Sequence, residues 1–320
     1  IENVPGHSKA SERSLALHYE GVATGRVARA GTATFLTPQA AEMPGYGLIC
    51  SPSLYSGQTV RARVEADKNN NRAISANLYT RRYGPGDQCV IQRGPATELG
   101  PGQDGQLVWT IEAPAGDPIA EVGIEIHSTS RAAGTLYLDT LTWDGAPNTS
   151  FDKPDHDGTM WQRAWVNGVD HLWAWDDLRV SQDRGTGLLI QGAREWTDYE
   201  VRAAIRPHLL KRGGLAARVQ GMRRYYGLLL AHNNRLCLVK ALDGDTVLAE
   251  TSFDWEYDQV YGMSLCVNGQ RVIAKIDDEV IFDVTDVDQP LAGGGIALVI
   301  EEGRLNASTV RVMPSSSNGS

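Results

Sequence analysis

Alternation of apolar and polar residues with a period of two runs along most of this chain, and it commits the chain to strands. Residues 58–66 (QTVRARVEA), 107–113 (LVWTIEA), 120–127 (AEVGIEIH) and 135–143 (TLYLDTLTW) all carry it. A strand sends successive side chains to opposite faces, whereas a helix needs a period of 3.6. Clusters such as 84–87 (GPGD) and 100–105 (GPGQDG) break the runs and read as turns. The one stretch suited to a turn of helix is 38–43 (PQAAEM).

The second half continues the pattern with longer strands, expected at 187–192, 198–206, 214–221, 225–232, 235–242, 246–251, 259–267, 271–277, 279–284, 294–301 and 308–313. No proline falls between Pro207 and Pro290, so nothing there interrupts ladder hydrogen bonds. Asn268-Gly269 and Asp243-Gly244 sit between strand-like runs and are expected to make type I′ hairpins. Successive hairpins without helices imply antiparallel sheets packed in pairs. The fold class is therefore all-β, two tandem β-sandwiches. The Gly-, Pro- and Asp-rich stretch 144–159 separates them, which gives a first sandwich at 1–145, a linker at 146–159, a second sandwich at 160–314 and a disordered tail at 315–320.

The chain has 320 residues, enough for two cores. With 42% hydrophobic and 22% charged residues it belongs with folded chains rather than disordered ones. No apolar run approaches the roughly 18 residues of a membrane span. Thirty Lys and Arg against 39 Asp and Glu leave a formal charge of −9. Nucleic acid and anionic membrane surfaces are therefore not expected partners. Cys50, Cys89, Cys237 and Cys266 form no C-x-x-C pair, which argues against a zinc site. They read as buried thiols of a reducing, cytoplasmic compartment. The alternative is export, with Cys50–Cys89 and Cys237–Cys266 bridges.

Several patterns could carry chemistry. Asp254, Glu256 and Asp258 fall at i, i+2 and i+4, as do Glu121 and Glu125 around Gly123. Retaining glycosidases need two carboxyls about 5–5.5 Å apart. The first trio lacks apolar flanks and reads as a polar turn, the second pair as a solvated sheet face. The histidines show no metal-like spacing, and Gly293-Gly294-Gly295 lacks the Lys-Ser/Thr of a phosphate loop. No cofactor is expected. A structural calcium near Asp139 is the one metal considered, though calcium prefers six to eight oxygens.

The aromatic residues are the stronger signal. Six of the eight tryptophans (Trp161, Trp165, Trp173, Trp175, Trp196 and Trp255) follow residue 160. A Trp or Tyr ring packs against the C–H face of a sugar while polar groups take the hydroxyls. Trp173 and Trp175 share a face if extended. Arg218, Arg223, Tyr225 and Tyr226 cluster on one expected hairpin. These six, with Trp196, are the candidate ligand-binding residues; residues 79–83 (YTRRY) form a weaker patch. The competing reading makes the tryptophans core and the arginines a hairpin tip.

The stretches 189–201 (LIQGAREWTDYEV), 214–230 (GLAARVQGMRRYYGLLL) and 239–248 (VKALDGDTVL) resemble a concanavalin-like, laminin-G-type sandwich. More closely, residues 173–312 resemble the C-terminal accessory region of bacterial ADP-ribosylglycohydrolase-family proteins. The strand at 136–143 resembles the last strand of a galactose-binding-type jelly roll. That family's catalytic domain is helical and holds metals with clustered aspartates, which nothing here matches. The resemblance implies a non-catalytic module that binds a glycan or an ADP-ribose-like ligand for a covalently attached catalytic domain. The rivals are a free-standing glycoside hydrolase using the paired carboxylates and a purely structural interaction module.

Overall fold

The computed structural model describes residues 1–10, 12–35, 50–114 and 116–315. The helical turn expected at 38–43 and residues 316–320 of the expected tail lie outside them. Among the described residues, strands dominate and the only α-helix is the four-residue turn α1 (Met160–Arg163). The all-β expectation holds.

The first half forms β1 (Glu2–Pro5), β2 (Arg13–Val22), β3 (Ala28–Ala33), β4 (Thr59–Ala66), β5 (Ile74–Tyr83), β6 (Cys89–Leu99), β7 (Asp104–Thr110), β8 (Ile119–His127) and β9 (Ala132–Asp144). They build a five-stranded sheet, β1-β2-β9-β4-β7, and a four-stranded sheet, β3-β8-β5-β6. The alternation explains the packing: Val60, Ala62, Val64 and Ala66 of β4 point inward to meet Ile74, Ala76 and Leu78 of β5 and Val122, Ile124 and Ile126 of β8. The intervening Arg61 and Arg63 face away from this core.

The second half adds β10 (Thr149–Ser150), β11 (Val166–Gly168), β12 (His171–Ala174), β13 (Leu178–Gln191), β14 (Tyr199–Gly221), β15 (Arg224–Ala231), β16 (Arg235–Leu242), β17 (Asp245–Ser252), β18 (Tyr261–Asn268), β19 (Arg271–Ile276), β20 (Glu279–Thr285) and β21 (Gly295–Pro314). Two pairs of expected strands are each one long strand, β14 and β21. Both bend rather than stop, so each belongs to two layers. The N-terminal part of β14 pairs with β18 and its C-terminal part with β15, while β21 runs alongside both parts. At the bend the register slips between Pro207 and Leu209. Gly303 lies opposite with φ near 146°, and a Cβ there would meet the Leu209 carbonyl oxygen at 1.9 Å. Only glycine lets the strands approach that closely. Continuous hydrogen bonding through these bent strands makes one twelve-stranded sheet, folded into two layers over a large core, with a second cluster around Tyr225, Leu229, Val239 and Val299 on the other face of β14, β15, β16 and β21.

The hairpin expectations need correction. Asn268 and Arg271 pair directly, so the turn residues are Gly269 and Gln270, and only Gly269 has positive φ. At Asp243-Gly244 only Asp243 does. A two-residue loop with both φ positive, as a type I′ turn requires, stands instead at Asp277-Asp278, at 50° and 66°, between β19 and β20. Aspartate tolerates this region through local hydrogen bonding.

The stretch read as a linker is packed. Thr149 and Ser150 pair with β21, and Phe151 is buried. Phe151 lies in a ring cluster with Trp165, Trp196 and Tyr55, a first-half residue whose ring sits 4.8 Å from Trp196. Tyr55 also donates to Gln191 Oε1 at 2.8 Å. Asp87 accepts backbone N–H bonds from Thr159 and Met160 and so caps α1 from the other half. His156 Nε2 meets the buried Asp117 carboxylate at 2.7 Å, and Arg82 meets its other oxygen. A handful of first-half side chains thus grip residues 151–165 and 191–196.

Candidate ligand-binding face

The structure separates the residues grouped by sequence. Trp196, Arg218, Tyr225 and Tyr226 are all at most 2% exposed. The reason is that both faces of β15 are covered: Tyr226 points into the larger core and Tyr225 into a second cluster on the opposite face, while Trp196 sits in the loop before β14. Trp196 belongs to the ring cluster between the halves. Arg218 donates to the carbonyls of Thr197, Gly269 and Leu291 and to Asp198, so it ties three loops together. Tyr226 donates to Asp286 Oδ2 at 2.6 Å, and buried Lys240 holds the same carboxylate at 3.0 Å. Tyr225 packs with Leu229 and Val239. Arg223 is exposed but donates to the Asp243 carbonyl at the hairpin tip. None of these joins Trp173.

Trp173 and Trp175 behave differently. β12 ends at Ala174, so alternation stops before Trp175, which stands 65% exposed in the following turn. Trp173 is half-buried and pairs with Arg179 of β13, and His171 pairs with Ser181. Directly paired residues in an antiparallel ladder project to the same face. Leu172 and Ala174 pack inward, leaving Trp173 and His171 on the outside with their rings 5.5 Å apart.

That outer face continues across β13, β21 and β14. Arg179 is opposite Asn306, which is opposite Arg206; Ser181 is opposite Arg304, which is opposite Leu209. Asn306 is the hub. Its Oδ1 accepts from Arg179 Nε at 3.1 Å, and its Nδ2 donates to Asp177. This fixes the amide orientation, so His208 Nε2, 3.0 Å from the same Oδ1, is the donor. His208 Nδ1 contacts Asp258. Here β13, β14 and β21 frame a cleft of about 650 Å³, lined in part by Arg179, Ser181, Asp183, His208, Asp258 and Arg304. The Asn306 side chain is buried in this network.

The carboxylate patterns do not converge. Asp258 reaches the cleft, but with φ near 64° it breaks the extended geometry that would align it with Asp254 and Glu256. Asp254 instead accepts from Asn234. Glu125, expected on a solvated face, is fully buried among Arg29, Arg93 and His127. Burial pushes its carboxyl up, but hydrogen bonds from Arg93 and Arg29, with their charges, outweigh it and hold the group below the ordinary carboxylate range. Glu121 accepts from Tyr79 at 2.5 Å and from Arg81. The 79–83 patch is consumed here and at Asp117. Asp139 accepts from the Ser8 hydroxyl and the Lys9 and Ala10 amides, so its oxygens bind donors. Among the described residues no group of three or more His, Cys, Asp or Glu is placed to hold a metal.

Of the thiols, only Cys237 is buried; Cys89 is exposed, and Cys50 and Cys266 are half-buried. Cys89, Cys237 and Cys266 are free, so neither anticipated bridge forms.

Comparison with known proteins gives no matching family model and no matching curated relative, so nothing links the chain to ADP-ribosylglycohydrolases. Solved structures do resemble it. The carbohydrate binding module CBM66 from Bacillus subtilis is 17% identical, with TM-score 0.39, over 52% of this chain and 94% of that one. A Bacillus subtilis protein of unknown function with a galectin-like fold is 14% identical, with TM-score 0.39, over 49% and 92%. The GH43 BlXynB protein from Bacillus licheniformis is 12% identical, with TM-score 0.40, over 66% and 47%.

Proposed function

We propose that the outer face of β12, β13, β21 and β14 binds a saccharide without transforming it. The observation that carries this is the position of Trp173, paired with Arg179 at the wall of the cleft. The ring supplies area for a sugar's C–H face. Arg179, Ser181, Arg304 and His208, which line the adjoining cleft, supply polar groups for its hydroxyls. Trp175, exposed at the adjacent turn, extends the platform.

The enzymatic reading draws on Asp183, Asp258 and Glu302, which all reach this cleft. All three are exposed side chains. They lack the dry, enclosed setting in which a carboxylic acid is held for proton transfer. Binding is therefore the better-supported role. The narrower form of the proposal, an ADP-ribose-bearing ligand delivered to an attached catalytic domain, adds ADP-ribose to the panel.

Calorimetric titration of the full chain with neutral and acidic oligosaccharides and ADP-ribose tests this. The expected result is saturable binding that Trp173→Ala weakens by roughly 1–3 kcal/mol, the range for losing an aromatic anchor. Binding untouched in folded Trp173→Ala, or turnover of any saccharide, would overturn it.

A further inference from the structure

We infer that the ligand of this face is anionic: a saccharide carrying a carboxylate, sulfate or phosphate, held by Arg179, Arg206 and Arg304. The inference rests on the saccharide-binding reading and adds the ligand's charge.

The three arginines occupy neighbouring positions on three adjacent strands. Arg179 and Arg206 flank Asn306 across its two ladders, and Arg304 lies two residues along the same strand. Ladder partners have Cα atoms about 4.5–5.5 Å apart, and residues i and i+2 about 6.5–7 Å, so all three side chains spring from a patch about 10 Å wide. Among the described residues none forms an ion pair. Among the described residues Arg179 makes one hydrogen bond, from Nε to the neutral Asn306, with no partner at its terminal nitrogens, and the side chains of Arg206 and Arg304 make none. Single unpaired arginines are ordinary on a surface. Three together cost the fold little at this spacing in water, but they concentrate positive potential and free donors on one patch that an anion can use.

Among the described residues, no carboxylate is in direct contact with any of the three. Asp258 is engaged by His208, Asp177 by the Asn306 amide, and Glu302 by the Gly185 N–H. Asp183 and Glu302 line the same cleft as Arg179 and Arg304 but form no ion pair with them among the described residues. The guanidinium fork suits a planar carboxylate or an oxyanion, and Arg179 is pre-set for it because Asn306 fixes its Nε edge. Ser181 and Asn306 form the polar floor between the three, and Trp173 stands beside Arg179 where the sugar ring would continue.

The test uses the full ¹⁵N-labelled chain and its arginine Nε–Hε resonances. The probes are an oligogalacturonate, its methyl ester and sodium sulfate. We expect oligogalacturonate and sulfate to shift Arg206 and Arg304 saturably while the paired Arg29 and Arg93 stay still. The methyl ester should bind at least about tenfold more weakly. Arg206→Gln/Arg304→Gln, both at exposed positions, should remove the preference for the acid without unfolding the chain. Arg206→Lys/Arg304→Lys should restore part of it, since charge returns without the fork. If the ester binds as well as the acid and the Gln variant changes nothing, the anionic inference falls while the saccharide reading stands. If no saccharide binds, both fall, whatever sulfate does.

Discussion

The outer faces of the two sandwiches use the same residue types to opposite ends. On the β3-β8-β5-β6 sheet, Arg29, Arg81 and Arg93 close onto Glu125 and Glu121, and the Tyr79 hydroxyl completes the network. On the second sandwich, Arg179, Arg206 and Arg304 meet no carboxylate among the described residues. The first face has satisfied itself and offers a ligand nothing it does not already have. The second keeps its donors for something outside the chain. Residue type alone does not mark a binding face; the partners already in place decide it.

The largest effect comes from an arginine of a third kind, neither face-paired nor free. Arg218→Ala would leave three loop carbonyls without their buried donor. It should cost about 3–5 kcal/mol in chemical denaturation, or prevent folding. A loss below 1 kcal/mol would mean that the loops hold each other without it.

Glu125→Ala should cost roughly 2–3 kcal/mol, because three charge-assisted hydrogen bonds from two arginines disappear from a buried acceptor while Arg29 and Arg93 recover only partial hydration. The same group predicts acid sensitivity. Its folded-state pKa is depressed, so its contribution is present above the unfolded value near 4.5 and fades as pH falls through the lower folded value. Denaturation midpoints of parent and Glu125→Gln should therefore converge on acidification. Parallel curves down to pH 3 would contradict the buried clamp.

At the junction the sign reverses. A hydrogen bond with Asp157 and the charge of Asp117 raise His156 above its usual 6.5. Its stabilisation is complete below about 6.5 and is lost as pH rises through the higher folded value. Cleavage of the 146–159 segment by a protease should accelerate over that window in the parent and be flat in His156→Ala.

The smallest effect marks the unpaired face. Arg206→Ala/Arg304→Ala should leave stability within about 0.5 kcal/mol. A loss of 2 kcal/mol would show that these arginines are structural after all, which would erase the contrast between the two faces.

The fold was legible because period-two alternation is local, and each strand announces which face it buries. Long strands were harder. Nothing in 198–221 marks where β14 bends, because a bulge at His208 and an opposing Gly303 keep the hydrogen bonds running where a turn was expected. The site was only partly legible. Trp173 was found, but Arg218, Tyr225 and Tyr226 were grouped with it because a hairpin dense in Arg and Tyr looks exposed when its second layer is unknown. The true neighbours come from segments 33 to 133 residues away from Trp173 along the chain, at Arg206, His208, Arg304 and Asn306. Their only signal is the outward polar position in an alternating strand, as in Arg304-Leu305-Asn306-Ala307, and ordinary solvated positions give the same signal. Pairing across β13, β21 and β14 is what brings them together.

The central claim is that Trp173 and the adjoining cleft form a saccharide-binding face. Calorimetric titration of the parent and Trp173→Ala against the same oligosaccharide panel tests it most directly. The account predicts saturable binding by the parent and at least about tenfold weaker binding by a variant of unchanged stability. Equal affinity for parent and variant would contradict it.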